Sequence, residues 1–121
     1  MPVRVLIDHC ARPTPKAGLN QAGFRALLKL AATGRVNVKL SGYSKFSADG
    51  YPFEDCRPYV KAIIEAFTFD RCIWASDWPF LRAPERQDYG PLVELTEALF
   101  PHANDRRKLF WETPRRLLGF G

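Results

Sequence analysis

Three short apolar runs, each followed by a helical pattern, organise the chain. The runs have the length and bulk of buried β-strands and span Val3 to Asp8, Val36 to Ser41 and Cys72 to Ala75. After each run, apolar residues recur at intervals of three and four, which predicts amphipathic helices over Gln21 to Ala32, Arg57 to Phe67 and Gly90 to Phe100. Strands that alternate with helices indicate parallel strands joined by right-handed crossovers. The predicted fold class is therefore α/β.

The C-terminal part of the chain is expected to form two further helical segments. Asn104 or Asp105 predicts the cap of a helix that runs to Trp111. The Thr113-Pro114 pair then predicts the N-cap and first position of a final helix, and Gly119 predicts its end.

Loop lengths distinguish the two ends of the predicted sheet. The links from helix to strand are short, whereas those from strand to helix are long and span residues 10–20, 42–56 and 78–89. Long loops at the carboxyl ends of parallel strands are typical of the active-site face of an α/β enzyme. His9 and Asp77 stand where two of these loops begin.

Alternation along the second strand indicates what kind of sheet this is. One face of the strand is apolar and is expected to meet the helices, while the other carries Asn37, Lys39 and Ser41. A sheet covered by helices on both sides would tolerate these polar residues poorly. The interior of a barrel, near its mouth, would accommodate them.

Asp77 is an unusual residue to follow a buried strand. A buried carboxylate is costly unless it is paired, and Pro79 prevents the strand from continuing. We therefore interpret Asp77 as a candidate general base and His9, at the end of the first strand, as its companion. The structural alternative is that Asp77 fixes the loop that Pro79 begins and that His9 is a satisfied histidine at a strand end.

Other polar and aromatic residues near these positions are explained by packing. We expect Trp74 and Trp78 to pack against neighbouring helices and loops, and His102 to be structural or exposed. Asp8 points away from its neighbour His9, so a hydrogen bond that fixes the loop is its expected role.

Composition and charge narrow the function classes. The 121 residues suit one domain, residues 1–121, and the formal net charge is +5. No nucleic-acid-binding signature accompanies the basic residues, and no apolar run is long enough to span a membrane.

The three cysteines lack metal-binding spacing and are expected to be small buried hydrophobes. Their odd number and the lack of a signal peptide favour a reducing cytoplasm.

Cations in the loops at the predicted active-site face suggest an anionic substrate. Arginine binds carboxylates with two parallel hydrogen bonds. The candidate substrate-binding residues are Arg12, Lys45, Arg82 and Arg86.

A series of motifs covers nearly the whole chain. They are Asp8-His9-Cys10-Ala11-Arg12-Pro13, Val38-Lys39-Leu40-Ser41-Gly42, Asp70-Arg71 with Trp74-Ala75-Ser76-Asp77-Trp78-Pro79, and Thr113-Pro114-Arg115-Arg116-Leu117-Leu118-Gly119-Phe120. In order and spacing they resemble the carboxyl-terminal part of the amidohydrolase-2 family, in its lactonase-like branch. That branch includes 2-pyrone-4,6-dicarboxylate hydrolases and sugar-acid lactonases, which open lactone rings on a (β/α)8 TIM barrel.

The resemblance implies a role for several residues. Asp77 matches the aspartate that activates the hydrolytic water, His9 the histidine that polarises the substrate carbonyl, and Arg12 a group that binds the substrate carboxylate. The implied function is hydrolysis of a lactone, or an amide, of a small anionic substrate. If the parent enzyme binds a divalent metal such as zinc, Asp77 would also be a ligand, together with histidines from the first barrel strand.

By the same resemblance, the three strands correspond to strands six to eight of the barrel. Strands one to five, and the His-x-His pair that the family carries on its first strand, have no counterpart in the chain. The expected structure is a partial barrel of three βα units with an uncovered interior face and two strand edges. We expect this C-terminal fragment to be inactive alone, or active only with further copies of itself or with the missing N-terminal half.

Two alternatives remain open at this point. The chain could be a non-catalytic remnant or an anion-binding module that keeps the sheet and the cationic loops. A flavodoxin-like nucleotide binder fits less well, because the sequence lacks a glycine-rich phosphate loop.

Overall fold

Three parallel strands lie side by side in chain order. The computed structural model describes residues 3–120, and its strands are β1 (Val5–Ile7), β2 (Val36–Leu40) and β3 (Cys72–Trp74). β2 lies in the centre and pairs in parallel with both neighbours. The strand order and direction confirm the predicted βα arrangement.

Helices occupy the segments between and after the strands. They are α1 (Ala22–Leu30), α2 (Arg57–Phe67), α3 (Tyr89–Leu99), α4 (Ala103–Arg107) and α5 (Thr113–Leu118). α2 has the predicted limits, and a 3-10 turn extends α1 to Gly34, whose φ of 70° ends it as predicted. Within residues 3–120, each helix is too short or too polar to cross a membrane.

The start of α4 differs from the prediction. The helix begins at Ala103 with His102 as its N-cap, so the predicted cap at Asn104 or Asp105 is wrong. Asp105 instead lies in the first turn. A carboxylate there interacts favourably with the positive end of the helix dipole but is not the N-cap.

Thr113 is not the N-cap of the final helix, which is a second correction. A π-helical stretch, Lys108–Glu112, runs directly into α5, and the backbone of Thr113 is already helical, with φ −68° and ψ −48°. The Thr113 hydroxyl donates instead to the carbonyl oxygen of Phe69 at 2.7 Å. This bond ties the C-terminal helices to the segment that precedes β3. Gly119 ends α5 with a φ of 74°, as predicted.

The hydrophobic core packs β2 against α1, α2, α3 and the π-helical stretch. Val38 and Leu40 of β2 are fully buried, as the alternation predicted, and they pack in one cluster with Phe24, Ile63 and Phe67. Burying a side chain of this size contributes about 1.5–3 kcal/mol. The cysteines are also confirmed as free and buried, at Cys10, Cys56 and Cys72.

Side chains on the polar face of β2 contact β1 and the residue that follows it. Lys39 Nζ lies 2.8 Å from Asp8 Oδ1, and the Asn37 side chain donates to the carbonyl oxygen of Val5 at 3.3 Å. The hydrogen bond from Lys39 lowers the pKa of Asp8. Asp8 therefore joins two strands rather than fixing the loop, because the register brings Lys39 beside it.

The two tryptophans near Asp77 have different environments. Trp74 packs edge-on against Tyr89 and Phe110, with ring centroids 5.7 and 5.2 Å apart, which confirms the packing prediction. Trp78 is 74% exposed, so the same prediction is wrong there. The chain turns at Asp77, whose φ is 66°, and carries Trp78 into solvent.

Candidate active site

The carboxyl ends of the three strands bring His9, Ser41 and Asp77 together. β2 separates β1 from β3, so the backbones of the outer strands are about 10 Å apart and their side chains meet above the end of β2. His9 Nε2 lies 3.5 Å from Asp77 Oδ1, with the side chains 11% and 17% exposed. The structure thus places in contact the two residues that the sequence predicted as a general base and its companion.

Lys45 adds a positive charge to this pair. It lies in the loop after β2, and its Nζ is 2.9 Å from Asp77 Oδ2 and 3.2 Å from Oδ1. The Lys45 side chain is 15% exposed, so the ion pair is largely shielded from solvent. The sequence predicted Lys45 as a substrate-binding residue. Its contact with the carboxylate was not foreseen.

Ser41 and burial set the properties of His9. Ser41 Oγ lies 2.8 Å from His9 Nδ1, and both residues are buried. Burial lowers the pKa of His9; Asp77 opposes this effect and Lys45 reinforces it. His9 is therefore a neutral imidazole at neutral pH. Ser41 was not predicted as a site residue, although its place on the polar face of β2 was the signal that could have identified it.

The backbone that carries His9 is unusual. His9, Cys10, Ala11 and Arg12 all have left-handed conformations, with φ between 48° and 63°. Each residue other than glycine that adopts this conformation costs about 1–2 kcal/mol of stability. Conformations of this kind persist where surrounding packing holds them, and they concentrate at functional sites. The full burial of Cys10 supplies such packing here.

Cys10 is a poor nucleophile despite its place next to His9. Its thiol is completely buried, and burial raises its pKa to about 12. The thiolate that would attack a substrate is therefore disfavoured at neutral pH. Its sulfur approaches the backbone carbonyl oxygen of Lys39 at 4.0 Å, which is the environment of a core residue.

The three predicted arginines are all exposed. Arg12 is exposed and close enough that its charge contributes to lowering the pKa of His9, after burial and Lys45. Arg82 is exposed in the loop after β3. Arg86 is 87% exposed and contacts Asp88 at 3.3 Å.

The described residues do not by themselves form a complete zinc site. A catalytic zinc ion takes three protein ligands and a water, whereas no group of three or more histidine, cysteine, aspartate or glutamate side chains within residues 3–120 is arranged to hold a metal. His9 and Asp77 could supply two ligands, and both oxygens of Asp77 already accept from Lys45. A role for Asp77 as a metal ligand stays a prediction.

Comparisons with known proteins give a consistent set of relatives. A family model described as Amidohydrolase matches residues 1–120. The chain is 35% identical over 118 residues to a 4-sulfomuconolactone hydrolase from Rhizobium radiobacter, with 95% of this chain and 39% of that protein covered. It is 38% identical over 96 residues to an L-fucono-1,5-lactonase from Burkholderia ambifaria, with 78% and 33% covered. The chain thus spans between a third and two fifths of these curated relatives.

A solved structure shares the fold. The chain superposes with a TM-score of 0.83 on a Pseudomonas putida protein proposed to be a 2-pyrone-4,6-dicarboxylic acid hydrolase, at 37% identity, covering 97% of this chain and 43% of that one. This neighbour is a TIM-barrel protein, so the three-stranded sheet and its helices are part of a (β/α)8 architecture, as predicted.

Proposed function

The chain belongs to the amidohydrolase family, as its motifs predicted, and on that premise we propose that it carries the hydrolytic base and the carbonyl-polarising histidine of a lactone hydrolase. Two relatives are named for lactones, a sulfomuconolactone and a fuconolactone. These names favour a lactone over an amide as the substrate.

The contact between His9 and Asp77 is the observation that carries the proposal. The two side chains come from different strands, are largely buried, and have polar atoms 3.5 Å apart. They lie at the carboxyl ends of parallel strands, which is the catalytic face of this architecture. A carboxylate and a neutral imidazole in this position can act as a base and as a hydrogen-bond donor.

The proposed reaction uses Asp77 to activate water. The carboxylate takes a proton from a water molecule whose oxygen bonds to the lactone carbonyl carbon. The carbonyl oxygen becomes negatively charged, and Nε2–H of His9 donates a hydrogen bond to it. The ring C–O bond then breaks, and the proton held by Asp77 passes to the leaving alkoxide. The product is a hydroxy acid.

The proposed substrate is a small anionic lactone. Arg12 follows His9 by three residues, is exposed, and influences its charge state. It is therefore the first candidate for a substrate carboxylate. Arg82 and Arg86 in the loop after β3, and Lys45 at Asp77, complete the candidate set.

Hydrolysis assays with Asp77→Asn and His9→Gln test the proposal. The substrates are carboxylated aromatic and sugar-acid lactones, incubated with the purified chain. For a lactone that the associated wild-type chain hydrolyses, we expect Asp77→Asn to lower kcat by roughly 10²–10⁴-fold and His9→Gln by roughly 10²–10³-fold.

Asp49→Asn and His102→Gln are the matched controls, because both side chains are exposed. Turnover that survives in Asp77→Asn would contradict the proposed mechanism. A wild-type chain that sediments as a monomer and hydrolyses none of the lactones would favour the non-catalytic, anion-binding alternative.

A further inference from the structure

We propose that Ser41 is a positioning residue for His9: its hydroxyl donates a hydrogen bond to Nδ1 and so holds the neutral imidazole with Nε2–H directed at Asp77. The use of this N–H in catalysis rests on the proposed function, whereas the hydrogen bond and the proton position do not. Ser41 lies outside the set of site residues that the sequence predicted.

The contact between the two residues is short and enclosed. Ser41 Oγ and His9 Nδ1 are 2.8 Å apart, and Ser41 is 1% exposed. A buried hydroxyl is expected to have a hydrogen-bond partner. Within residues 3–120, the Ser41 hydroxyl has His9 Nδ1 as its partner. Ser41 comes directly after β2, so the strand sets the direction of its side chain.

The carboxylate of Asp77, on the opposite side of the ring, determines which nitrogen carries the proton. Nε2 lies 3.5 Å from a carboxylate oxygen of Asp77, which can accept a hydrogen bond but cannot donate one when ionised. A proton on Nε2 is attracted by that oxygen, whereas a lone pair on Nε2 would be repelled by it. Nδ1 is then the acceptor, and the Ser41 hydroxyl is the donor.

Gly42 makes room for the ring in this orientation. Its φ is +62°, and a Cβ built on it would lie 2.6 Å from His9 Cγ, well inside any real contact. The imidazole therefore rests directly on the backbone of Gly42. Ser41 fixes the ring at one nitrogen, Gly42 supports it from one side, and Asp77 faces the other nitrogen.

This arrangement matters for an oxyanion because a donor must point at the charge as it develops. With the proton on Nε2, neutral His9 can donate to the carbonyl oxygen of a substrate next to Asp77. With the proton on Nδ1, a lone pair would face both the carboxylate and the oxyanion. Ser41 thus acts through His9 and does not need to touch the substrate.

Nitrogen NMR of the histidine rings tests the proposal without requiring turnover. The chain has two histidines, and His102→Gln assigns the signals of each. In the wild type at a pH where His9 is neutral, we expect a protonated Nε2 and an Nδ1 shifted in the direction of an accepted hydrogen bond. Ser41→Ala should move Nδ1 to the position of an unbonded nitrogen, and Ser41→Thr, which keeps the hydroxyl, should restore it.

Two results would overturn the proposal: a wild-type His9 with its proton on Nδ1, or an Nδ1 signal unchanged by Ser41→Ala. Urea unfolding of each variant shows whether the fold is retained. If Ser41→Ala does not fold, the wild-type proton position and the Ser41→Thr spectrum decide the question. Because no substrate is involved, failure here is distinguishable from failure of the proposed lactone hydrolysis.

Discussion

At the scale of single residues, burial and charge act in opposite directions on His9. Burial lowers its pKa, while the neighbouring carboxylate of Asp77 raises it less strongly. The ammonium group of Lys45 forms an ion pair with Asp77, and it also disfavours a second positive charge on His9. The site therefore keeps one cation, one anion and one neutral donor in contact.

We predict that mild acid destabilises the chain through His9. The pKa of this histidine is 6.5 when unperturbed and lower in the folded chain, chiefly because of burial. Between these two values the unfolded state binds more protons, so the free energy of unfolding falls as the pH decreases. Urea unfolding from about pH 8 to about pH 5 should show this decline below about pH 6.5. In His9→Gln the decline should be absent.

His102→Gln is the control for this slope, because His102 is exposed and its loss should leave the decline unchanged. The carboxylate of Asp8 affects the free energy of unfolding in a lower pH range. The hydrogen bond from Lys39 lowers the pKa of Asp8, so its stabilising effect is present above the unperturbed value of 3.8 and is lost as the pH falls below it. Equal slopes in the wild type and His9→Gln would refute the prediction.

The sequence predicted the central pair of the site but not its surroundings. His9 and Asp77 follow apolar runs at the same end of a parallel sheet, so topology alone predicts that they approach each other. Lys45 lies in a long loop, and no local pattern indicates where a flexible lysine side chain ends. Its contact with Asp77 depends on how residues 42–56 fold back over β2.

At the scale of elements, the end of β2 is shaped around the His9 ring. We predict that Gly42→Ala lowers the free energy of unfolding by roughly 2–4 kcal/mol. The added Cβ would both strain a backbone with φ +62° and collide with the imidazole. Urea unfolding measures the first effect, and displacement of the His9 ring signals in NMR spectra measures the second.

Gly34→Ala separates these two effects. Gly34 also has a positive φ, +70°, but a Cβ there would meet nothing within 4 Å. This control should cost only the backbone strain, roughly 1–2 kcal/mol, and leave the His9 signals in place. If the two alanine variants lose equal stability, Gly42 does not support the ring.

Secondary structure was predicted best where a local pattern determines it. The limits of α2 follow from its apolar stripe, and Gly34 and Gly119 end their helices because glycine adopts the left-handed conformation without strain. Thr113 was misassigned as an N-cap because Thr-Pro is a common start signal. Its hydroxyl bonds to Phe69, 44 residues earlier, and no local pattern reveals such a partner.

At the scale of the whole molecule, the alternation of strands and helices predicted the parallel α/β arrangement, and the resemblance of the motifs implied the (β/α)8 barrel. The polar face of β2 indicated a barrel interior, and the long loops after each strand predicted which end of the sheet carries the candidate site. The outward turn at Asp77 was not predictable, because a positive φ in an aspartate reflects its tertiary contacts rather than its type. Trp78 is exposed as a consequence of that turn.

The outer strands leave two sheet edges open. Within residues 3–120, β1 and β3 each pair with β2 alone, and Val3 and Val5 at the β1 edge are 70% and 42% exposed. Unpaired backbone groups on an apolar edge strand are a template for pairing with another chain. We therefore predict that the chain associates with copies of itself through this edge.

Sedimentation over a range of protein concentrations tests the association, and Val5→Lys tests its location. A charged residue on an edge strand opposes strand pairing, so Val5→Lys should weaken association by roughly tenfold, about 1.4 kcal/mol. Leu30→Lys is the matched control, because Leu30 is similarly exposed at 39% but lies at the end of α1. Equal weakening by both lysines would assign the association to general apolar contact. A monomer at every concentration would mean that the exposed edge alone does not drive pairing.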